Sequence, residues 1–342
     1  MAQPSSRKAY RRTDDYTPGT PKVKLVSEEI PSPLPPYAVL IKVHAVSLNY
    51  RDANIANGGN PWPVTPNGIL CNDAAGGVIS VGERVTRFSQ GDRVAPIVDT
   101  ANITGRETRR SWLAADEDGV LADYIVFDED KVTKLPQHLD WIEASIIPCA
   151  GVTAWSALEG CGMGSTGGVS MFALKLARAS GMRVILSSSS DSKLESMRTK
   201  FADPPLFTVN YKNAMWHEEV LNLTNGAGVD LVLENGGTGS VVQSVKCTRR
   251  GGTVSQVGYL GKQDPTEMAE LLPTLIDRRV NLRGINAGSR HDQEDLCAAI
   301  SAMGMRFDDI IDSTFPFDEA EEAVESIWQG KQVGKVVVKI GG

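Results

Sequence analysis

Midway along its 342 residues the sequence changes character, and few folds accommodate both halves. Up to about residue 150 it is a series of short β-like runs punctuated by Pro and Gly, at 23–26, 38–45, 76–80, 93–98 and 123–127, the texture of a compact antiparallel domain. Pro31, Pro33, Pro35 and Pro36 read as an extended turn between strands. From about Thr153 helix and strand alternate. Residues 169–180 place Val169, Phe172, Ala173, Leu176 and Ala177 on one helical side, and Gly181 ends that helix. Strands at 183–186, 206–209, 229–233 and 252–258 then interleave with helices at 191–200, 216–223 and 240–248. That order predicts a parallel sheet covered on both faces. The tail adds helices at 293–303 and 318–329 and a closing strand at 335–340. A chain of this length also exceeds what one core usually fills, so two domains are expected.

Composition narrows the partners. Charged residues make up 23% and hydrophobic residues 41%, and no apolar run reaches the roughly 20 residues of a membrane helix, so no membrane association and a cytoplasmic protein are expected. A net charge of -7 with scattered basic residues offers nucleic acid no electrostatic footprint and favours a small-molecule substrate. The cysteines, Cys71, Cys149, Cys161, Cys247 and Cys297, are odd in number and far apart, and read as reduced thiols.

Ser165-Thr166-Gly167-Gly168-Val169-Ser170 opens the helix at Val169. Glycines there let backbone approach a pyrophosphate while helix N-terminal amides meet its charge, although an ordinary loop has the same look. The next strand runs into Ser187-Ser188-Ser189-Ser190-Asp191-Ser192-Lys193. With no acid at the strand's immediate end, the serine hydroxyls and the Lys193 ammonium suit a ribose 2′-phosphate, which points to NADPH over NADH; a solvated serine turn is the competing reading.

Ordered landmarks then carry a family resemblance along nearly the whole chain: Lys8-Ala9-Tyr10, residues 43–52 ending in Asn49-Tyr50-Arg51-Asp52, Gly82-Glu83-Arg84-Val85 with Gly91-Asp92-Arg93-Val94, residues 148–155, Arg283-Gly284-Ile285 with Gly288-Ser289, and Gly334-Lys335-Val336-Val337. Together they resemble the zinc-independent branch of the medium-chain dehydrogenase/reductase family, alcohol dehydrogenase-like and quinone oxidoreductase-like. The resemblance implies an α/β architecture with a GroES-like β-rich catalytic domain (1–150 and 285–342) enclosing a doubly wound Rossmann domain (151–284), and a homodimer through the Rossmann sheet edge. It further implies contacts to the cofactor from Thr153, Gly167, Gly168, Val169, Ser188, Ser189, Lys193, Tyr211, Gly236, Gly258, Tyr259, Asn286 and Gly288.

One departure stands out. Between the helix at 153–158 and the glycine turn lie only Glu159-Gly160-Cys161-Gly162-Met163-Gly164, roughly nine residues short of the family pattern and poor in β-formers. The first Rossmann strand is therefore expected to be truncated or absent, with some rescue by residues 161–164. A rebuilt working site, a site that has lost its cofactor, and a reading frame lacking a short coding stretch all explain it.

Zinc-dependent relatives need three protein ligands and an open position. The corresponding landmarks here hold Asn49 or Tyr50, then Asn72-Asp73, then Cys149, so no metal is expected. Without a Lewis acid, an intrinsically electrophilic acceptor such as an enone or quinone is favoured. The resemblance places Asn49 and Tyr50 by the nicotinamide, with Tyr50 the first candidate proton donor; packing of Tyr50 and turn-capping by Asn49 is the alternative. The expected function is an NADPH-dependent oxidoreductase reducing a small conjugated carbonyl or interconverting alcohol and carbonyl. The alternative is a cofactor-free relative that catalyses a non-redox step or acts as a binding protein.

Overall fold

The computed structural model describes residues 3–158, 164–165, 168–261, 265–330 and 332–341. It divides into two compact units, Met1–Val152 with Ala287–Gly342, and Thr153–Asn286.

The first unit is built on a seven-stranded sheet, in the order Ile311–Pro316, Lys335–Lys339, Ala38–Leu48, Asp73–Val81, Arg93–Pro96, Val132–Lys134, with Tyr124–Asp128 also paired to Ala38–Leu48. Ala38–Leu48 is central because its sequence, AVLIKVHAVSL, is apolar at nearly every position and so can be buried on both faces. The sheet is antiparallel except where Ile311–Pro316 runs parallel to Lys335–Lys339, an exception to the all-antiparallel expectation. Its apolar faces gather Val39, Ile41, Val43, Leu48, Ile69, Val336 and Val338 into one core. Burying each such side chain stabilises the fold by about 1.5–3 kcal/mol. Ser6–Arg12 and Val23–Glu29 form a separate antiparallel pair.

Register decides where chemistry collects. Val336 lies opposite Leu48 and Ser47 opposite Asp73. Lys335, Asn49 and Asp73 therefore meet at one end of three adjacent strands. The chain enters Lys335 through Gly334, whose φ of +124° and close approach to the Ile310 carbonyl exclude a side chain. Only Asn49 separates helix Tyr50–Ala56 from the end of its strand at Leu48. Helix Trp141–Ser145, capped by Asp140 accepting from the Glu143 N–H at 2.8 Å, runs on through a π-helical turn, Ile147–Gly151, into helix Val152–Leu158. That turn carries Cys149, and such turns recur at functional sites.

The second unit contains two three-stranded parallel sheets. One orders Phe207–Asn210, Ile185–Ser188 and Gly164–Ser165; the other orders Val229–Glu234, Thr248–Gln256 and Asn281–Gly284. Their shared apolar packing includes Ile185, Val209, Val220, Val232, Val245 and Val254. At the first Rossmann strand the described residues are Gly164–Ser165, and residues 159–163 and 166–167 on either side lie outside the described residues. Gly164–Ser165 pairs with Leu186 and Ser187, and among the described residues has no ladder to Val229–Glu234. Of the residues expected to rescue it, 161–163 lie outside the described residues.

Several boundaries move. The strand expected at 183–186 is Ile185–Ser188, so Ser188 belongs to the strand rather than to the loop after it. The strand expected at 252–258 is Thr248–Gln256, leaving Gly258 and Tyr259 beyond its end. Helices Tyr50–Ala56 and Leu271–Arg278 and strand Ile311–Pro316 went unpredicted, each too short or too irregularly patterned to stand out by periodicity.

Candidate active site

In the first unit a buried polar cluster forms where Lys335, Asn49 and Asp73 converge. Lys335 is 2% exposed and Asp73, Asn72 and Asp52 are fully buried. The Lys335 ammonium donates to the Leu48 carbonyl at 2.8 Å and to Asn49 Oδ1 at 2.6 Å, and lies 3.6 Å from Asp73 Oδ2. Asn49 Nδ2 donates in turn to Asn72 Oδ1 at 3.1 Å and Asp73 Oδ2 at 3.0 Å. The Asn49 backbone N–H donates to Asp52 Oδ2 at 2.7 Å, tying the start of helix Tyr50–Ala56 to its own first turn. Asn49 thus does sit at a helix N-cap, but its side chain is engaged by the cluster.

Burial pushes the Asp73 carboxyl up to about 6, against the opposing pull of Lys335 and Asn49. Asp52 is raised for the same reason, with Arg51 opposing. Cys149 is pushed up to about 12 by burial, and then by the neighbouring Asp73 charge. A thiol so held stays protonated and unreactive.

Tyr50 opens the helix, is 41% exposed, and stacks on Trp328 with ring centroids 6.4 Å apart. The next residue, Arg51, donates from one guanidinium nitrogen to the Leu113 carbonyl at 3.0 Å and lies over the Trp112 ring at 5.6 Å. Arg110 covers the other members of this group, 4.2 Å from the Trp112 ring and 5.6 Å from Trp62. Helix Tyr50–Ala56 is thereby anchored to the loop at 99–118.

In the second unit the loop glycines are organised by Glu234, which the sequence places at a strand end beside them. Glu234, 4% exposed, ends its strand and accepts from the Gly236 N–H at 2.5 Å, the Gly237 N–H at 3.1 Å, the Ser240 hydroxyl at 2.7 Å and the Ser244 hydroxyl. Gly258 N–H reaches the Glu234 carbonyl at 3.3 Å, and Leu260 and Gly261 donate to the Asn235 and Gly236 carbonyls. Gly236 and Gly258 are in this way brought together at the carboxyl ends of neighbouring strands, where open α/β sheets bind ligands. A Cβ on Gly236 would collide with the Ser240 hydroxyl. Asn235 Nδ2 donates to Ser170 Oγ at 3.2 Å, joining this loop to the first turn of helix Gly168–Ala179.

The remaining candidates separate. Gly168 and Val169 open that helix, whereas Gly167 lies outside the described residues. Tyr211 donates its N–H to the Ser188 carbonyl at 3.1 Å, so these two are neighbours, with the Tyr211 side chain exposed. Ser189 and Lys193 are half-buried; the Lys193 N–H donates to Ser190 Oγ, the cap of helix Asp191–Lys200, at 3.3 Å. Asp191 accepts from Asn210 Nδ2 at 2.8 Å. Thr153 is buried in the first turn of helix Val152–Leu158. Tyr259 and Asn286 are exposed, and Gly288 lies in the first unit just before Ser289, the cap of helix Arg290–Met303.

Residues 35–137 match the alcohol dehydrogenase GroES-like domain and residues 168–302 the zinc-binding dehydrogenase domain. The chain is 35% identical to a zinc-type alcohol dehydrogenase-like protein of Schizosaccharomyces pombe, over 95% of its own length and 97% of the relative's. It belongs to the medium-chain dehydrogenase/reductase family. Among solved members of this family, a candidate alcohol dehydrogenase from Sinorhizobium meliloti superposes with a TM-score of 0.85 at 30% identity, covering 99% of this chain and 100% of that one. The acryloyl-coenzyme A reductase of Metallosphaera sedula is 26% identical, over 88% of this chain and 91% of the relative. The expected GroES-like and Rossmann folds are those of the family, and the chain is a medium-chain oxidoreductase.

Two groups associated with the family can be tested against the residues present. Zinc does not fit the cluster at Asn49. An ammonium, which has donors and no lone pair, sits among Leu48, Asn49 and Asp73, and the side chains bonded to it and to one another there include the amides of Asn49 and Asn72, which are not the thiolate, imidazole or carboxylate ligands zinc takes. Among the described residues no group of three or more His, Cys, Asp or Glu side chains could hold a metal ion. A nicotinamide dinucleotide does fit the second unit. Its glycine loops lie at the carboxyl ends of neighbouring strands, where open α/β sheets bind ligands, and the serines after strand Ile185–Ser188 place their hydroxyls close together, with Ser190 and Ser192 2.8 Å apart.

Proposed function

We propose that this chain is an NADPH-dependent, zinc-independent oxidoreductase that reduces a small conjugated carbonyl, an enone or quinone, or interconverts an alcohol and its carbonyl. The observation that carries the reading is the Lys335 ammonium bonded to Asn49 at 2.6 Å, a fixed positive charge in a cluster whose donors do not suit zinc. Without a Lewis acid, reduction favours an acceptor that is already electrophilic, and the acryloyl-coenzyme A reductase among the relatives supports that class.

A nicotinamide dinucleotide held by the second unit would supply the hydride. Tyr50, exposed at the start of its helix, donates the proton that quenches the developing enolate, and Asn49 fixes the backbone from which Tyr50 projects. Thr153, Asn286 and Gly288 hold the nicotinamide end; Gly167, Gly168 and Val169 hold the diphosphate; Gly236, Gly258 and Tyr259 line the strand ends. Ser188, Ser189, Lys193 and Tyr211 hold the adenosine ribose, with Lys193 placing a charge by the 2′-phosphate. The protein works in the cytoplasm, where Cys71, Cys149, Cys247 and Cys297 remain free thiols. It forms a homodimer through the edge strand Asn281–Gly284.

A second reading has one observation in its favour. Among the described residues Gly164–Ser165 pairs with Ile185–Ser188 and has no ladder to Val229–Glu234, and the segment before the glycine turn is roughly nine residues short of the family pattern, which suits a relative that has given up its cofactor for a non-redox step or for binding. Titrating the purified protein with NADPH and NADH, following tryptophan quenching, decides between them. Saturation at micromolar NADPH, weaker NADH binding, loss of that preference in Lys193→Ala, and consumption of NADPH with an enone panel support the oxidoreductase. No detectable binding of either dinucleotide would reject it.

A further inference from the structure

We infer that Lys335 is a positioning residue, whose ammonium locks the Asn49 side chain and through it the first turn of the helix presenting Tyr50. The functional consequence rests on the reading of Tyr50 as proton donor given above; the locking itself does not.

The contacts are distributed in a way that a stabilising ion pair alone does not require. The two short hydrogen bonds of the ammonium go to the Leu48 carbonyl, at 2.8 Å, and to Asn49 Oδ1, at 2.6 Å; its carboxylate partner Asp73 is farther, at 3.6 Å. Leu48 ends the central strand and Asn49 is the residue between that strand and helix Tyr50–Ala56. The charge is therefore spent on a corner of the chain. Asn49 is held at both ends of its amide, oxygen to the ammonium and nitrogen to Asn72 and Asp73, while its backbone N–H binds Asp52. With a cation on one side and an anion on the other, only one orientation of that amide satisfies both. A buried ion pair is poor value for stability, since apolar residues of similar volume often do as well, so its placement here is better explained by the geometry it enforces.

A double variant separates geometry from stability. Lys335→Met alone strands the Asp73 charge and lowers the melting temperature, which any buried pair would do. Combining Lys335→Met with Asp73→Asn removes both charges and recovers the melting temperature. In that variant the amides of residues 50–56 exchange with solvent at least about tenfold faster than in the parent, while exchange elsewhere is unchanged. Turnover of an enone falls by about tenfold or more at an unchanged KM for NADPH, and Lys335→Arg alone recovers part of both losses. Parental exchange at residues 50–56 in the double variant, or a double variant that no longer folds, would make Lys335 a stability residue and overturn the inference. The exchange measurement needs no cofactor, so a parent protein that fails to bind NADPH sinks the hydride-transfer reading while leaving the role of Lys335 decided.

Discussion

Lys335 donates a 2.6 Å hydrogen bond to the side-chain oxygen of Asn49, 286 residues away in sequence, on the strand that pairs directly with the strand leading into Asn49. The bond closes the end of the sheet at the point where the helix carrying Tyr50 begins. It gives the first unit a buried cation and a buried carboxylate in contact with a half-buried amide, beside an exposed phenol.

Tyr50→Phe removes the phenolic proton but keeps the ring that stacks on Trp328. Reduction of a conjugated carbonyl should fall by about 10²-fold or more, the usual scale for losing a general acid, with NADPH affinity and melting temperature unchanged. Full turnover across the pH range would assign the proton to another group.

Asp73 gives a pH signature. Folding raises its carboxyl from an ordinary 3.8 to about 6, mainly through burial. Between those values the folded protein binds more protons than the unfolded chain, so this group's contribution to stability is greatest below about pH 4 and declines as pH rises to about 6, by about 3 kcal/mol. Carboxyl-carbon NMR should show one resonance titrating near 6, moving higher in Lys335→Met as the opposing cation is removed. Urea unfolding of Asp73→Asn should lose that part of the pH slope; an unchanged slope would contradict the assignment.

Glu234 organises the second unit's glycine loops. Glu234→Ala strands the buried donors at Gly237 and Ser244 and the half-buried one at Ser240, and should destabilise the protein by about 3 kcal/mol in denaturant unfolding. Glu234→Gln retains an acceptor and should lose less. If the loops form a cofactor cradle, NADPH binding weakens in both, even below the unfolding transition.

Leu272 and Ile276 on helix Leu271–Arg278 are 69% and 77% exposed, and Leu282 on the edge strand is 39% exposed. Apolar side chains of this size beside an open strand edge suit a self-association surface. Sedimentation velocity should find a dimer for the parent and a monomer for Ile276→Glu. A monomeric parent would remove the proposed interface.

Much of this protein was readable in its residues alone. The switch from Pro- and Gly-punctuated β runs to alternating helix and strand marked an α/β chain with a β-rich part, and helices such as Asp191–Lys200 and Trp216–Leu223 emerged with the predicted bounds because hydrophobic period and capping residues are local properties. The shortfall before the glycine turn was visible as missing β-formers. Tertiary structure alone decided the site. Nothing near Lys335 in sequence marks it as a partner of Asn49, and Glu234 reads as an ordinary strand-end acid. Their roles come from strand register and burial, which join residues hundreds of positions apart and raise or lower the cost of a charge according to what the rest of the chain packs around it.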